Sequence, residues 1–341
     1  MSKINDLAAE LRGLLSTGAF PPGSRFPSEY ELQERLSVSR VTANKAVALL
    51  AAEGLLCRGR RGSGTYVQKT EVFPRGWIAA IEDFKHPYNM GMISGAAQEA
   101  FARGYMLSVF PPEKDDLARL IKQLRQSDCI GVLGCAYLLK ILPSDFPKPV
   151  IYLDGGIEPH EEGIAHSVMC DNYGAAVEMM NRIIRAEKKQ IVTLGIEKSL
   201  NRKLRMQGFR DAMRDNGIND VEKREFIMHH GSRHDVRIAL RKIISLFPDV
   251  DFIATDSDDI VFSIMKIWGN ERENWQQMTG VSGFGNVHGI SDLHHIPSVE
   301  QHPWHIGSEA VKAMIELVSS GSREQPFQIL VPAEVVNAEF I

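Results

Sequence analysis

Between residues 77 and 283, short apolar runs alternate with amphipathic stretches, and no other feature of the sequence narrows the possible folds as far. The runs 77–81, 106–110, 131–133, 150–153, 190–194, 252–254 and 278–283 read as buried strands. The stretches 89–103, 117–126, 175–187, 204–216, 234–246 and 258–268 repeat their apolar residues at helical spacing. Strands that are apolar along their whole length need cover on both faces. The pattern therefore predicts an α/β fold, with doubly wound parallel sheets between helix layers.

The first 70 residues follow a different plan. Ile4, Leu7, Ala8, Leu11, Leu14 and Leu15 form one face of a helix that ends before Gly18 and Pro21-Pro22. Ser28 as N-cap with Glu31 three residues on makes a capping box for a short second helix over 29–36. Ser39 caps a third helix that runs to about Glu53, where Gly54 stops it. Two strands, 55–58 and 65–68, then flank the basic turn Gly59-Arg60-Arg61-Gly62-Ser63-Gly64. Two helices joined by a tight turn and followed by a hairpin make a winged helix-turn-helix. The expected organisation is a DNA-binding domain over 1–69, a linker over 70–75 and a core over 76–341.

Charge is divided in the same place. Residues 1–70 carry a net +4 and the remainder −8, giving −4 for the whole chain. A basic head on an acidic body fits a nucleic-acid-binding module joined to one that is not. No apolar run has the length of a membrane span. Residues 1–10 lack the apolar centre of an export signal, and Cys57, Cys129, Cys135 and Cys170 have no CxxC spacing. These features lead us to expect a cytoplasmic protein with reduced thiols.

The head resembles a known family. Pro22-Gly23-Ser24-Arg25-Phe26-Pro27-Ser28-Glu29, Val38-Ser39-Arg40-Val41-Thr42, Leu49-Leu50 to Gly54-Leu55, and Gly62-Ser63-Gly64-Thr65-Tyr66-Val67 resemble, in order, the GntR family of regulators. The resemblance implies that the third helix enters the major groove of operator DNA. Arg40 would reach base edges there, its two-pronged donor suiting guanine. It places Ser39 and Thr42 near phosphate or base edges, with Asn44 and Lys45 further along the same helix. Lys3, Glu29, Arg61 and Gly62 fall where the family contacts DNA, the last two through the wing. Tyr30 and Asn44 stand where that family often has basic residues.

The body resembles the LacI/GalR repressor core, which has the periplasmic sugar-binding-protein fold. The resemblance rests on Asp171-Asn172-Tyr173-Gly174-Ala175, Arg205 to Ala212, Phe252 to Asp258, Val281-Ser282-Gly283-Phe284, Ser298 to Gln301, and Leu330 to Val336. A GntR-type head on such a core resembles the arabinose-repressor group of bacterial regulators. Two lobes follow, about 76–168 with 302–324 and about 169–301 with 325–341. The ligand lies between them, at the carboxyl ends of the strands. The resemblance implies a sugar effector and a homodimer. It places Glu82, Asp83, His86 and Tyr88 in the first ligand loop, and Asp154, Arg205, Ser257, Asp258, Asn286 and Gln301 as polar contacts. Phe284, or a tryptophan such as Trp304, would supply the face for the sugar ring. Gly285 stands where the family often has an acid. Asp171 reads as a helix cap.

Other function classes leave weaker traces. His302 and His305 are separated by a proline and a tryptophan, with no cysteine or carboxylate at ligand spacing, so no metal is expected. The glycines at 280, 283 and 285 echo a dinucleotide motif, but the residues that follow are not helix-like. No Schiff-base lysine motif marks an aminotransferase body, so neither a cofactor nor catalysis is expected. A free transport protein would carry an export signal and no such head. The remaining alternative is a DNA-binding regulator whose core only dimerises and binds no effector.

Overall fold

A computed structural model describes residues 3–16, 19–59, 63–68, 74–83, 85–111, 114–135, 145–154, 166–196, 199–270, 279–287, 295–320 and 326–341. The chain divides into two compact units, Met1–Arg75 and Gly76–Ile341.

The first unit runs α1 (Lys3–Ser16), β1 (Arg25–Phe26), α2 (Glu29–Leu36), α3 (Arg40–Ala52), β2 (Leu56–Arg58) and β3 (Thr65–Val67). The capping box forms as its residues dictate. The Glu31 amide donates to Ser28 Oγ at 3.3 Å, and the Ser28 amide donates to Glu31 Oε2 at 2.7 Å. Ser37 takes a left-handed conformation (φ 50°) that ends α2 and turns the chain into α3. Leu7, Leu11, Phe26, Leu32, Val47, Leu50 and Leu56 bury against one another as a single small core. The hairpin gains a third strand that periodicity could not reveal, because β1 is only two residues long; it pairs antiparallel with β3.

The second unit opens with β4 (Trp77–Ile81), α4 (Pro87–Ala102), β5 (Met106–Phe110), α5 (Lys114–Gln126), β6 (Val132–Gly134), β7 (Val150–Leu153) and β8 (His166–Cys170). It continues with α6 (Asn172–Arg185), β9 (Ile191–Ile196), α7 (Leu200–Asp215), α8 (Val221–Arg224), β10 (Glu225–Met228), α9 (Arg233–Leu246), β11 (Phe252–Thr255), α10 (Asp258–Asn270) and β12 (Gly280–Ser282). Next come β13 (Ser298–Glu300), α11 (Pro303–Ser320), β14 (Gln328–Val331) and β15 (Glu334–Val336).

Among the described residues these strands form two parallel sheets, ordered β14-β8-β7-β6-β4-β5 and β10-β9-β11-β12, and an antiparallel pair β13-β15. Alternate residues of β4 face opposite layers: Ile78 and Ala80 pack under α4 and α11, and Ala79 and Ile81 under α5. The second sheet is covered likewise, with Val192 and Leu194 facing α9 and α10, and Ile191 and Phe252 facing α6 and α7.

The end of the chain differs from expectation. β14 pairs with β8 in the first sheet, so the last crossing between lobes follows Val331 and not the expected boundary at 324–325. The other crossings follow Cys170 and lie at Gln301. β8 and β10 carry no apolar-run signal in sequence. β8 begins His166-Ser167, and its imidazole is buried against Phe327 at 4.3 Å between ring centres.

The α4–α11 pair packs backbone to backbone. A Cβ on Gly95 would stand 1.9 Å from the Trp304 carbonyl oxygen, and one on Gly307 1.9 Å from the Met92 carbonyl oxygen. Neither atom can swing aside as a side chain would. Gly307→Ala should therefore destabilise the chain by about 1–3 kcal/mol, the usual cost of overpacking, as a lower urea midpoint at unchanged slope.

Candidate functional site: a recognition helix and an interlobe cleft

In the first unit, Arg40 is the first residue of α3, where Ser39 caps the helix by accepting the Thr42 amide at 3.1 Å. The hydroxyls of Ser39 and Thr42 share a hydrogen bond at 2.8 Å. Ser39, Arg40, Val41, Asn44 and Lys45 are exposed on the helix, and Lys3 is exposed at the start of α1. α2 supplies partners to two of them. Arg40 Nη1 donates to Tyr30 Oη at 2.8 Å, and Asn44 Nδ2 donates to Glu29 Oε1 at 3.2 Å. Arg61 and Gly62 lie outside the described residues.

In the second unit, a cavity of about 170 Å³ opens between the lobes at the carboxyl ends of the strands. The first lobe contributes His86, Tyr88 and Asp154 to its wall, and the second Arg205, Ser257 and Phe284, with Gln301 at the crossing. Each is placed by local chemistry. His86 caps α4, its Nδ1 accepting the Tyr88 amide. Asp154 follows β7 in a left-handed turn (φ 44°).

Arg205 is the most fully organised member. Nε donates to Asn172 Oδ1 at 2.7 Å and Nη1 to the Asp256 carbonyl at 2.9 Å, while the guanidinium lies 4.0 Å above the Phe284 ring. Asn172 is oriented in turn by donating to the Cys170 carbonyl at 3.0 Å. Arg205 is 7% exposed, so its fixed fork faces the cavity with its orientation settled in advance. Burial lowers its pKa, and Asp154 opposes that shift.

Four expected residues do not line the cavity. Asp258 is 1% exposed; its carboxylate accepts Ser298 Oγ and the Val287 amide, each at 2.7 Å. Asn286 Nδ2 donates to Glu300 Oε2 at 2.8 Å. Glu82 is buried and accepts from Asn89 Nδ2 at 3.0 Å, and Asp83 accepts the Lys85 amide. Trp304 also stands apart, 38% exposed on α11. Asp171 caps α6, accepting the Gly174 amide at 2.9 Å.

Ser199, Asn201, Arg202, Asp259 and Val287, none of them expected from the sequence, also line the cavity, as does Gly285. Asn201 and Arg202 precede Arg205 by four and three residues, so the helical repeat from Arg205 would have placed them on its face. Asn201 bridges the lobes, donating from Nδ2 to the Asp154 carbonyl at 2.6 Å and to Oδ2 at 2.9 Å. Arg202 pairs with the buried Asp256 at 2.7 Å. Desolvation raises Asp154 and Asp258 each to about 6 and Glu82 to about 7. Among the described residues, no group of three or more His, Cys, Asp or Glu could hold a metal ion.

Residues 78–339 match the family described as periplasmic binding proteins and sugar binding domain of LacI family. The chain belongs to this family. Ahead of its LacI-family core, residues 3–67 match the bacterial regulatory proteins of the gntR family. The chain is 37% identical over 94 residues to the histidine utilization repressor of Pseudomonas putida, covering 28% of this chain and 32% of that repressor. It is 44% identical over 61 residues to an HTH-type transcriptional regulator of Mycobacterium tuberculosis, 18% of this chain and 22% of that regulator. It thus spans about a third or less of the length of the curated relatives it matches. Among solved structures, the transcriptional regulator CelR–cellobiose complex is similar in fold, with a TM-score of 0.64 at 17% identity over 88% of this chain and 90% of that one. A LacI family transcriptional regulator from Silicibacter pomeroyi gives 0.60 at 20% identity, over 76% and 97%.

Proposed function

We propose that this LacI-family chain is a DNA-binding transcription regulator, a repressor of carbohydrate-use genes. A sugar or related small molecule bound between its lobes sets its affinity for the operator. The observation that carries this reading is the convergence of Asp154 from one lobe and Asn201 and Arg205 from the other on one cavity. Such a site grips a ligand only when the lobes close, and a ligand that binds one lobe arrangement better than another shifts the population toward it. The mainly polar wall, with Tyr88 and Phe284 as aromatic members, suits a polyhydroxy ligand. The cellobiose complex of a fold neighbour and the repressor names of the relatives support the same reading. It is a regulator without catalysis, acting in the cytoplasm; among the described residues no helix is long and apolar enough to cross a membrane.

In this reading Arg40, Ser39, Thr42, Asn44 and Lys45 face the major groove, with Lys3, Glu29 and the wing residues Arg61 and Gly62 beside it. Duplexes selected from a random pool by the full chain should share a palindromic site, because two heads read two half-sites. Arg40→Ala should weaken binding to that site by about 1–3 kcal/mol per head in fluorescence anisotropy at fixed salt, unequally across operator variants. Equal affinity for every duplex, or an Arg40 variant indistinguishable from wild type, contradicts the reading.

The chain acts as a homodimer. Each sheet ends on an edge strand beside exposed apolar side chains, Met106 with Phe101 in one lobe and Ile227 with Ile238 and Leu246 in the other. Light scattering at micromolar concentration should give the mass of two chains without DNA. Phe101→Glu with Ile238→Glu should give one.

A further inference from the structure

We infer that Tyr30 is a positioning residue for base recognition, holding the Arg40 guanidinium ready before DNA arrives; the inference rests on the DNA-binding reading above. Arg40 opens α3, so its side chain leans back over the preceding turn, toward α2. There it meets Tyr30, which is 60% exposed and contributes nothing to the small core of the head. Two contacts fix the pair. Nη1 donates to the phenol oxygen at 2.8 Å, and the guanidinium carbon lies 4.3 Å from the ring centre. The hydrogen bond sets one edge of the guanidinium and the ring sets its plane.

The chemistry of the partner matters. Arg12, in the same unit, meets the Glu53 carboxylate at 2.7 Å, which neutralises it. Against Arg40 the chain places a phenol, which orients the guanidinium without cancelling its charge. The attraction to phosphate and to guanine acceptors is kept. With Nη1 engaged, Nε and Nη2 remain as a parallel pair of donors on the outer edge, the fork that matches guanine O6 and N7. An arginine free to rotate would lose that freedom on binding any base. One already held loses little, and gains only where the base matches its fixed direction. Glu29 on the same helix holds Asn44, so α2 orients two successive turns of the recognition face.

The test uses the full chain and the palindromic duplex selected by wild type. Affinities at fixed salt are measured for that duplex and for variants at the base pair where Arg40→Ala loses discrimination. Tyr30→Ala should lower discrimination at that base pair about tenfold, within the range a bidentate arginine–guanine contact supplies. Tyr30→Phe, which keeps the ring and loses the hydrogen bond, should fall between. In an Arg40→Ala background, Tyr30→Ala should cost nothing further. The salt dependence of binding should be unchanged, because no phosphate contact is removed. Unchanged discrimination in Tyr30→Ala, or a loss that adds in full to that of Arg40→Ala, overturns the positioning role and leaves the DNA reading standing. A wild-type chain that selects no duplex, or an Arg40→Ala variant with intact discrimination, overturns both.

Discussion

Replacing Glu82 by Gln is expected to stabilise the chain at pH 8 by on the order of 3 kcal/mol and to leave it nearly unchanged at pH 4.5. Glu82 is 1% exposed, and its burial, with Asp83 and Asp154 nearby, lifts its carboxyl from the ordinary value near 4.5 to about 7. Between those two pH values the folded chain keeps a proton that the unfolded chain has released. Stability therefore falls as pH rises through that window, and the loss is complete above pH 7. Glutamine keeps the shape and the acceptor for Asn89 Nδ2 while removing the charge. Asp154 and Asp258, raised by burial to about 6, act in the same direction, so the wild-type chain should weaken toward alkaline pH in several steps. Urea midpoints at pH 4.5, 6 and 8 for both proteins decide the matter. Parallel curves for wild type and variant would mean that the Glu82 carboxyl ionises as though it were in water.

Arg205→Ala should cost about 3–5 kcal/mol, the range expected when one member of a buried charge network is removed. Its guanidinium answers Asn172 Oδ1 and the Asp256 carbonyl, lies over Phe284, and stands among the charges of Asp154, Asp256 and Asp258. Truncation leaves two buried acceptors without a donor and removes the cation beside Asp154 and Asp258, while Asp256 keeps Arg202. The site and the stability of the second lobe are thus the same atoms. An alanine at 205 confounds loss of ligand with loss of fold, and Arg205→Lys is the better probe: it keeps the charge and removes the fork.

The legible part of the molecule is the part whose signals are local. Capping at Ser28 and Ser39 and the apolar runs of β4, β5, β7 and β11 can each be read from a few adjacent residues. β8 was not legible, because His166 and Ser167 are buried only once β14 and Phe327 lie beside them. β10 is four residues at a sheet edge, with Glu225 tied to Arg210 at 2.8 Å, and no pattern of that length separates a strand from a loop. The cleft divides the same way. Asp154 and Arg205 stand at places the family resemblance names. A carboxylate at a strand end, however, has several possible partners, and which one it takes depends on long-range packing. Asp258 turns to Ser298, forty residues later, and Asn286 to Glu300. The helical repeat puts Asn201 on the face of Arg205, but its bridge to Asp154 is set by packing across the lobes.

The central claim is that a small molecule in the cleft controls a contact made by the head. It is tested most directly by measuring operator affinity with and without a sugar, chosen from a mono- and oligosaccharide panel because it raises the melting temperature. At 100 times its dissociation constant such a sugar stabilises the chain by about 2.7 kcal/mol, enough to identify it. In wild type that sugar should change operator affinity at least tenfold. In Arg205→Lys and Asp154→Asn, operator affinity without sugar should match wild type, and the change on adding it should vanish. A sugar that stabilises the chain yet leaves operator affinity where it was, or variants that respond like wild type, would contradict the account.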